Sequence, residues 1–494
     1  MTNKTCGELF AGIDCTIIGS SEEPVSGIAY RSDAVQPGDA FCCIVGLKVD
    51  GHSFAQDAID RGARVLIVER PLYLANAEDV TEVVVKDSRK AMARLAARFY
   101  DNPSESLQLV GITGTNGKTT TTYLVNHIAQ VLGNRTGLIG TVGIEMAGKH
   151  YPSAHTTPES PDMQKLFAEM RDEGCSVVAM EVSSHALALN RTWATKFEVT
   201  AFTNLTQDHL DYHKTFESYF EAKARLFSKN YPAKRVINID SPWGEELLKR
   251  TSANEDSIVT TGFTKAAQIH PIEINYSATK TDVVLSVRGM RCEVTYPLVG
   301  RFNVENVMTA FGIGLQLGYP AGAIINALKD APAVPGRLQR VNTEHDGGVS
   351  VYVDYAHTPD ALSKAISSVS ALETQARTIV VFGCGGDRDA GKRPIMGRAA
   401  LAADYAIVTS DNPRTEDPNA IIDDIVAGMK DDQHRFEVVP DRRQAIHRAI
   451  ELAHPGDAIL IAGKGHEDYQ IIGTEKHHFD DREVAAEELE KVFG

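Results

Sequence analysis

At 494 residues the chain is long for one domain and carries material for about two to four of them. Hydrophobic residues make up 43%, enough for several cores, and a formal net charge of −16 argues against a nucleic-acid or anionic-membrane surface, both of which favour basic stripes. No apolar run approaches the length of a spanning helix, the N-terminus lacks a signal-peptide core, and seven scattered cysteines without a CxxC pair point to reduced thiols and a cytoplasmic setting.

Residues 1–106 read as a small α/β domain. A short strand is expected at 27–30, followed by Arg31, Ser32 and Asp33, then a turn and a buried strand over 40–45. A polar loop at 46–51 precedes a helical pattern and a strand over 64–68, and 88–100 has helical spacing. Asp101, Asn102, Pro103 and Ser104 end that helix and form the first linker.

The next stretch, LQLVGITGTNGKTTTT from Leu107 to Thr122, moves from an apolar run through a glycine-rich turn to a lysine and threonines. Strand, loop and helix in this order let backbone N–H groups and a helix N-terminus cradle phosphate. Lys118 and the loop residues Gly114, Thr115, Asn116, Gly117 and Thr120 belong to that cradle, and Thr119 is placed to offer a hydroxyl to Mg2+. Ile112 stands where the usual P-loop spacing wants glycine. A plain βα turn is the alternative, but the threonines after Gly-Lys favour a triphosphate.

From 107 to about 336 runs a larger α/β domain. A strand at 177–180 delivers Glu181, and one at 199–203 delivers Asn204 and the polar cluster from Asp208 to His213. Ligands of open α/β sheets bind outside the carboxyl ends of strands, so Glu181 and His209 can meet phosphates held by the first loop. A zinc reading of His209 and His213 fails for want of the HExxH glutamate and a third ligand. Asp211 and His213 are expected in a solvated loop. Phe216, Tyr219, Phe220, Lys223 and Phe227 fall on one helical face, which puts Lys223 on an apolar stripe. Snorkelling to solvent is the expectation; a functional lysine, neutralised or chemically altered, is the alternative. Residues 231–300 read as strands and turns, including 283–287 and 292–296. A long helix follows Gly300, with Asn303 and Asn306 one turn apart; capping is commoner for such amides than reading a base edge. The second linker is 331–336, with two prolines and a glycine.

The last domain, 337–494, alternates strands and helices. Four strands end in polar or glycine-rich tips that start at Asp354, Gly383, Ser410 and Gly463, expected along one edge of a parallel sheet. Arg414 after Pro413 makes a rigid carboxylate fork, and Glu467 suits an ammonium. With Arg388 they suggest a zwitterion such as an amino acid; surface salt bridging is the plain alternative. The fold class is therefore α/β in three domains: a small N-terminal one, a central P-loop-type ATPase domain with a mostly parallel sheet, and a C-terminal Rossmann-like domain.

The motifs GTNGKTTT, TTPES, EVSSHALALNR, FTNLTQDHLDYH, GRFNVENVMTA, VDYAHTPDAL, FGCGGDRDAGKRP, DNPRTEDP and AGKGHEDYQ, in this order, resemble the Mur ligases of peptidoglycan assembly, and among them those that add the third residue of the peptide stem. GTNGKT alone also fits folylpolyglutamate or cyanophycin synthetases; DNPR with GHEDYQ is far more specific. The resemblance implies an ATP-dependent amide ligase whose domains take, in order, a UDP-sugar, ATP and an amino acid. ATP would phosphorylate the D-glutamate side chain of UDP-MurNAc-L-Ala-D-Glu, and the amine of meso-diaminopimelate would attack the acyl phosphate. It further implies Lys118 on the β/γ-phosphates and Mg2+ on Thr119, Glu181 and His209. Lys223 would be a carbamate formed from CO2 that supports a second Mg2+. Asn306, Arg337 and Asp354 would contact the nucleotide, and Ser32, Thr156, Thr157, Ser183 and Arg191 the UDP-muramoyl dipeptide. Arg388, Asp411, Asn412, Pro413, Arg414, Gly463 and Glu467 would form the diaminopimelate pocket, with Arg414 on the distal carboxylate that lysine lacks.

The N-terminal half departs from the family pattern. Arg31-Ser32-Asp33 replaces Asp-Ser-Arg, Leu47-Lys48-Val49 stands where a His-Gln pair is common, Leu189 replaces a glutamine and His155 an asparagine. Partners are expected to be small molecules only, with no nucleic acid and no membrane, and the chain is expected to act as a monomer. A lysine-adding ligase, a P-loop hydrolase or switch, and a nucleotide-binding regulator without turnover are the competing readings. Arg414 speaks against the first, the acceptor pocket against the second, and Lys118 with Glu181 against the third.

Overall fold

The computed structural model describes every residue except 1–3, 47–48, 76, 154, 252–256, 278, 342 and 373–376. Leu47 and Lys48, read above as a departure, thus lie outside the described residues. The chain packs as two compact units: Met1–Gly111, Asn134–Val199 and Arg225–Ala233 form one, and Ile112–Gly133, Thr200–Ala224 and Lys234–Gly494 the other.

The first unit contains a five-stranded sheet in the spatial order Cys15–Ile18, Thr81–Val85, Val65–Val68, Asp39–Cys42, Gly27–Ala29. Its first pair is antiparallel and the rest parallel. Parallel strands are covered on both faces, which is why 40–42 and 65–68 read as unbroken apolar runs. Ala40, Cys42, Val65 and Ile67 pack on helices Cys6–Phe10 and Ser88–Phe99. Phe41, Leu66 and Val68 pack on Ala55 and Ala58 of helix Ala55–Asp60. The second strand stops at Cys42, short of the expected 45; Val45 makes only a bridge to Asp50 and is exposed. Asp87 caps helix Ser88–Phe99, and left-handed Asn102 followed by Pro103 turns the chain out of it.

The same unit holds a meander, Lys149–Tyr151 on Ile144–Met146 on Thr136–Ile139, and the last of these pairs in parallel with the fully buried strand Val177–Glu181. Helix Ser160–Asp172 precedes that strand.

In the second unit, strands Lys234–Asn238, Ile258–Thr261 and Ile269–Tyr276 run parallel, and Thr281–Val287 and Met290–Tyr296 extend them as antiparallel hairpins. A helix, Pro242–Arg250, lies in the stretch expected to be strands and turns; it buries only Gly244 and Leu247. The helix after Gly300 runs Arg301–Gln316. Its C-terminal six-stranded sheet has the order Gln339–Val341, Ser350–Asp354, Ala458–Ala462, Thr378–Phe382, Tyr405–Val408, Phe436–Val438, parallel except at the first strand. Helices Pro359–Leu372, Arg393–Ala400 and Pro418–Val426 cover one face, and Arg442–Leu452 and Asp481–Phe493 the other. Asp354 pairs with Ala462 and Phe382 with Val408, so the four polar tips leave one edge together. The linker docks on this edge at Gly336: at φ +62°, an added Cβ would meet His466 N at 2.1 Å, and the Gly336 carbonyl accepts from Tyr355 N–H at 2.9 Å.

Candidate active site

The phosphate-loop candidate is built on left-handed glycines. At Gly114, φ +150°, a Cβ would lie 1.9 Å from Thr203 Oγ1; at Gly117, φ +84°, it would lie 2.3 Å from Asn306 Oδ1. Only glycine fits either position. Asn204 Oδ1 accepts from Asn116 N–H at 2.9 Å, and Thr115 Oγ1 joins the main chain of Thr206 and the Tyr219 hydroxyl. Gly117 opens helix Lys118–Val131, whose threonines 119–122 are all buried. Lys118 Nζ donates to the carbonyls of Gly114 at 3.0 Å and Thr115 at 2.8 Å.

Lys223 does not snorkel. It is 1% exposed on helix Phe216–Ala224, donates to Gly114 O at 2.7 Å and lies 4.5 Å from the Tyr219 ring centroid. Burial first, then the Lys118 charge, lowers its pKa well below the usual lysine range, against a weaker opposing pull from Asp208. The helix ends at Ala224, and Phe227 belongs to a 3-10 turn rather than to the same helical face. His213 is not solvated either: it is buried in the short helix Leu210–His213, its ring 5.1 Å from that of Tyr219. Asp211 is exposed, as expected.

Asp208 is the centre that sequence reading missed. Its carboxylate, buried with His209 Nε2 at 3.2 Å, also has His357 Nε2 and Lys392 Nζ each at 3.8 Å. Burial alone would raise its pKa, but His357, His209 and Lys392 hold it well below the carboxylate range. His209 itself sits at φ +55°, half-exposed. Asp208, His209 and His357 follow strand ends in the sequence, whereas Lys392 closes the 3-10 turn Ala390–Lys392, well past its strand Thr378–Phe382.

The C-terminal tips meet this loop. Arg337 Nη2 donates to Thr119 Oγ1 at 3.0 Å while its guanidinium covers the Tyr355 ring at 4.6 Å. Asn116 Nδ2 donates to Asp360 Oδ2 at 2.9 Å. Asp354, buried, accepts from Leu338 N–H at 2.7 Å and Ala356 N–H at 2.8 Å, and burial raises its pKa despite Arg337. Asn303 Nδ2 donates to the Val299 carbonyl at 2.8 Å and Asn306 Nδ2 to Asn303 Oδ1 at 3.0 Å; the helix starts at Gly300 without a side-chain cap, so the expected capping role is not what these two bonds perform.

Further along the edge lie the residues expected to hold an amino acid. Asn412 Nδ2 donates to Glu467 Oε2 at 2.9 Å, and Gly463 presses on Asp411, where an added Cβ would lie 2.5 Å from Oδ2. Arg414, half-buried at φ +53°, donates from Nη1 to Gly386 O at 2.8 Å. Pro413 is buried beneath it, and Arg388 is exposed, donating to the Asp387 carbonyl. Burial raises the Asp411 pKa, but Lys464 and Arg442 outweigh it and bring it below the usual value; Glu467 is raised by burial and by Asp411. His357 bears on both Asp208 and Glu467.

The first unit gathers a second set. Glu181 accepts from Thr141 N–H at 2.8 Å and Thr141 Oγ1 at 3.1 Å, and Thr141 Oγ1 meets Thr156 Oγ1 at 3.0 Å. Thr157 Oγ1 donates to the Glu181 carbonyl and accepts from Ser183 N–H, while Ser183 Oγ caps helix Ser184–Ala188. Arg191 donates to Thr157 O at 2.8 Å and pairs with Glu159 at 2.9 Å; Arg89 reaches the other oxygen of Glu159 at 3.5 Å. Glu159 and Arg89 went unnoticed in the sequence, where Glu159 reads as an acidic residue at a helix start. Ser32 is not brought to this set: its hydroxyl lowers the Asp57 pKa by hydrogen bonding, beside an exposed Arg31–Asp33 pair.

A nucleotide-dependent α/β ligase is the class that such a loop, with an acceptor pocket on adjoining strand tips, defines. The sequence matches the Mur ligase family catalytic domain over residues 24–100, the Mur ligase middle domain over 112–314 and the Mur ligase glutamate ligase domain over 336–465. The chain belongs to the Mur ligase family and has its three-domain α/β fold. It is 42% identical to the UDP-N-acetylmuramoyl-L-alanyl-D-glutamate–2,6-diaminopimelate ligase of Clostridium botulinum over 98% of this chain and 99% of that one. It is 45% identical to the enzyme of the same name from Thermosynechococcus vestitus, over 95% of this chain and 94% of that one. A solved structure carrying that name superposes with a TM-score of 0.71 at 33% identity, covering 99% of both chains.

Proposed function

We propose that this chain is an ATP-dependent amide ligase that joins meso-diaminopimelate to UDP-MurNAc-L-Ala-D-Glu. Residues 1–106, 107–336 and 337–494 would serve the UDP-sugar, ATP and the amino acid. The observation that carries this is the adjacency along one sheet edge in the second unit: Arg337 and Asp360 touch the phosphate loop, and Asp411, Asn412, Arg414 and Glu467 follow on neighbouring tips. A hydrolase needs the first set and has no use for the second.

In this reading Lys118 turns from its loop carbonyls to the β/γ-phosphates, and the γ-phosphoryl group passes to the D-glutamate side-chain carboxylate. The substrate amine, held as an ammonium by Asp411 and Glu467 until it gives a proton to solvent water, attacks the acyl carbon as the neutral amine, and the tetrahedral adduct expels phosphate. Arg414 takes the distal carboxylate. Thr156, Thr157, Ser183 and Arg191 grip the muramoyl dipeptide, Ser32, apart from that set, takes another part of the same UDP-linked substrate, and Asn306, Arg337 and Asp354 grip the nucleotide.

Thr119, Glu181 and His209 are the proposed Mg2+ ligands. Among the described residues no cluster of three or more His, Cys, Asp or Glu forms a metal cage, which suits an ion held chiefly through phosphate oxygens. Glu181 fits, since each of its oxygens keeps acceptor capacity beyond the Thr141 bonds. When bound, Mg2+ neutralises charge on the transferring phosphoryl group. Lys223 fits carbamylation because only a neutral amine adds CO2, and its surroundings favour that form. The small-molecule partners, a monomeric state and a cytoplasmic location belong to the same proposal; no described helix is long and apolar enough to cross a membrane.

Phosphate release is the test, with ATP, the UDP-dipeptide and a panel of amino acids. Turnover that requires meso-diaminopimelate supports the reading, preference for lysine redirects it to the lysine-adding type, and indifference to the amino acid ends it.

A further inference from the structure

Lys464 lies at the base of the acceptor pocket with 0% exposure, and no step described so far uses it. Its Nζ donates to Asn412 Oδ1 at 2.9 Å and to Tyr469 O at 2.6 Å, and has Asp411 Oδ1 and Glu467 Oε2 each at 3.9 Å. Asn412 Oδ1 also accepts from Ile471 N–H at 2.9 Å. With its oxygen doubly engaged, the amide can present only its NH2 to Glu467, which fixes that carboxylate in turn. Arg442, the other buried cation nearby, is held by Asp481 through two hydrogen bonds of 2.8 and 2.7 Å, so it cannot swing to replace Lys464.

We infer that Lys464 is a positioning residue of the amino-acid pocket. By locking the Asn412 amide and lying between two carboxylates, it keeps Glu467 in place and ionised to receive the substrate ammonium. Burial and the Asp411 charge both push the Glu467 carboxyl toward its protonated form, so without an opposing cation the pocket favours a proton in place of that ammonium. Burial lowers the Lys464 pKa while Asp411 and Glu467 pull it back up; in its charged form it cancels one of the two carboxylate charges and leaves the other for the substrate. The groups facing Glu467 are Asp411, Lys464, Arg442, His357, Tyr355 and Tyr469. Lys464 is the cation nearest to Glu467, so its loss lets the carboxyl rise and protonate at higher pH. This rests on the ligase reading above.

The test is steady-state kinetics of the full chain across pH with all three substrates. Lys464→Met is expected to raise KM for meso-diaminopimelate by about tenfold or more at neutral pH and to move the acidic limb of kcat/KM upward, with KM for ATP and the UDP-dipeptide within about twofold of the original. Lys464→Arg, which keeps the charge, should leave the limb where it was. An unchanged limb and KM in Lys464→Met, or equal rises in all three KM values, overturn the inference. If Lys464→Met does not fold, Glu467→Gln decides: it must raise the same KM and erase the limb, and a persisting limb overturns the inference. Absence of amino-acid-dependent phosphate release from the unaltered chain defeats the ligase reading itself, whereas normal turnover with an indifferent Lys464→Met defeats only this step.

Discussion

Lys118 and Lys223 share one acceptor: both ammonium groups donate to the Gly114 carbonyl, at 3.0 and 2.7 Å. Burial first, and then the neighbouring Lys118 charge, push the Lys223 pKa well below the usual lysine range. A lysine in the unfolded chain titrates near ~10.4, above the lowered folded value, so between the two the unfolded state binds more protons and stability rises with pH. In CO2-free buffer, where Lys223 is the free amine, denaturant midpoints should therefore climb with pH below the unfolded lysine value, and climb less in Lys223→Met. That variant should also lose roughly 10²–10³ in kcat, the scale of one group that stabilises transition-state charge. A parallel pH slope in both proteins contradicts the assignment.

Arg414 offers a second measurement. Its backbone is pinned in the left-handed region, N–H to Ile471 O and C=O from Gly473 N–H, so the guanidinium has a fixed origin. Losing a charge-assisted pair costs about 1.5–3 kcal/mol, so Arg414→Ala should raise KM for meso-diaminopimelate roughly tenfold to a hundredfold and narrow its advantage over lysine. Unchanged selectivity between the two amino acids would remove Arg414 from the pocket.

Glu159 holds two arginines at once, and both are mostly buried. Glu159→Ala leaves those cations without their carboxylate and should cost about 2–4 kcal/mol by urea unfolding, with a raised KM for the UDP-dipeptide through Arg191. Stability loss without any change in that KM would make the cluster purely structural.

The Arg442–Asp481 pair has 0% side-chain exposure on both members. Asp481→Asn should cost about 3–5 kcal/mol, while a double replacement of Arg442 and Asp481 by apolar residues of similar volume should recover most of it. Equilibrium unfolding of the unaltered chain, Asp481→Asn and the double replacement measures this; a double replacement no more stable than Asp481→Asn would deny it.

Much of this was legible because buried parallel strands write themselves as apolar runs with a polar residue at the end. Thr378–Phe382 and Ala458–Ala462 fall where the runs predict them, and Glu181 ends its strand as expected. Phe436–Val438 was missed because three residues carry no periodicity. Helix Pro242–Arg250 was missed although Ser241 caps it and Pro242 opens it, because Ser-Pro-Trp-Gly also reads as a turn. Burial of Lys223 could not be read, since its acceptor is a main-chain oxygen 109 residues away. The Asp208 cluster likewise draws His357 and Lys392 from segments that follow the strands of a different sheet, and strand-end placement alone does not announce that they meet.

Gly336 fixes where the linker meets the C-terminal sheet. Its left-handed φ, its near-contact with His466 N and its bond to Tyr355 leave no room for a side chain, so any other residue there must push the backbone off the strand tips. Arg337 is the next residue and donates to Thr119 Oγ1, so that displacement would also withdraw the guanidinium from the first turn of the phosphate-loop helix.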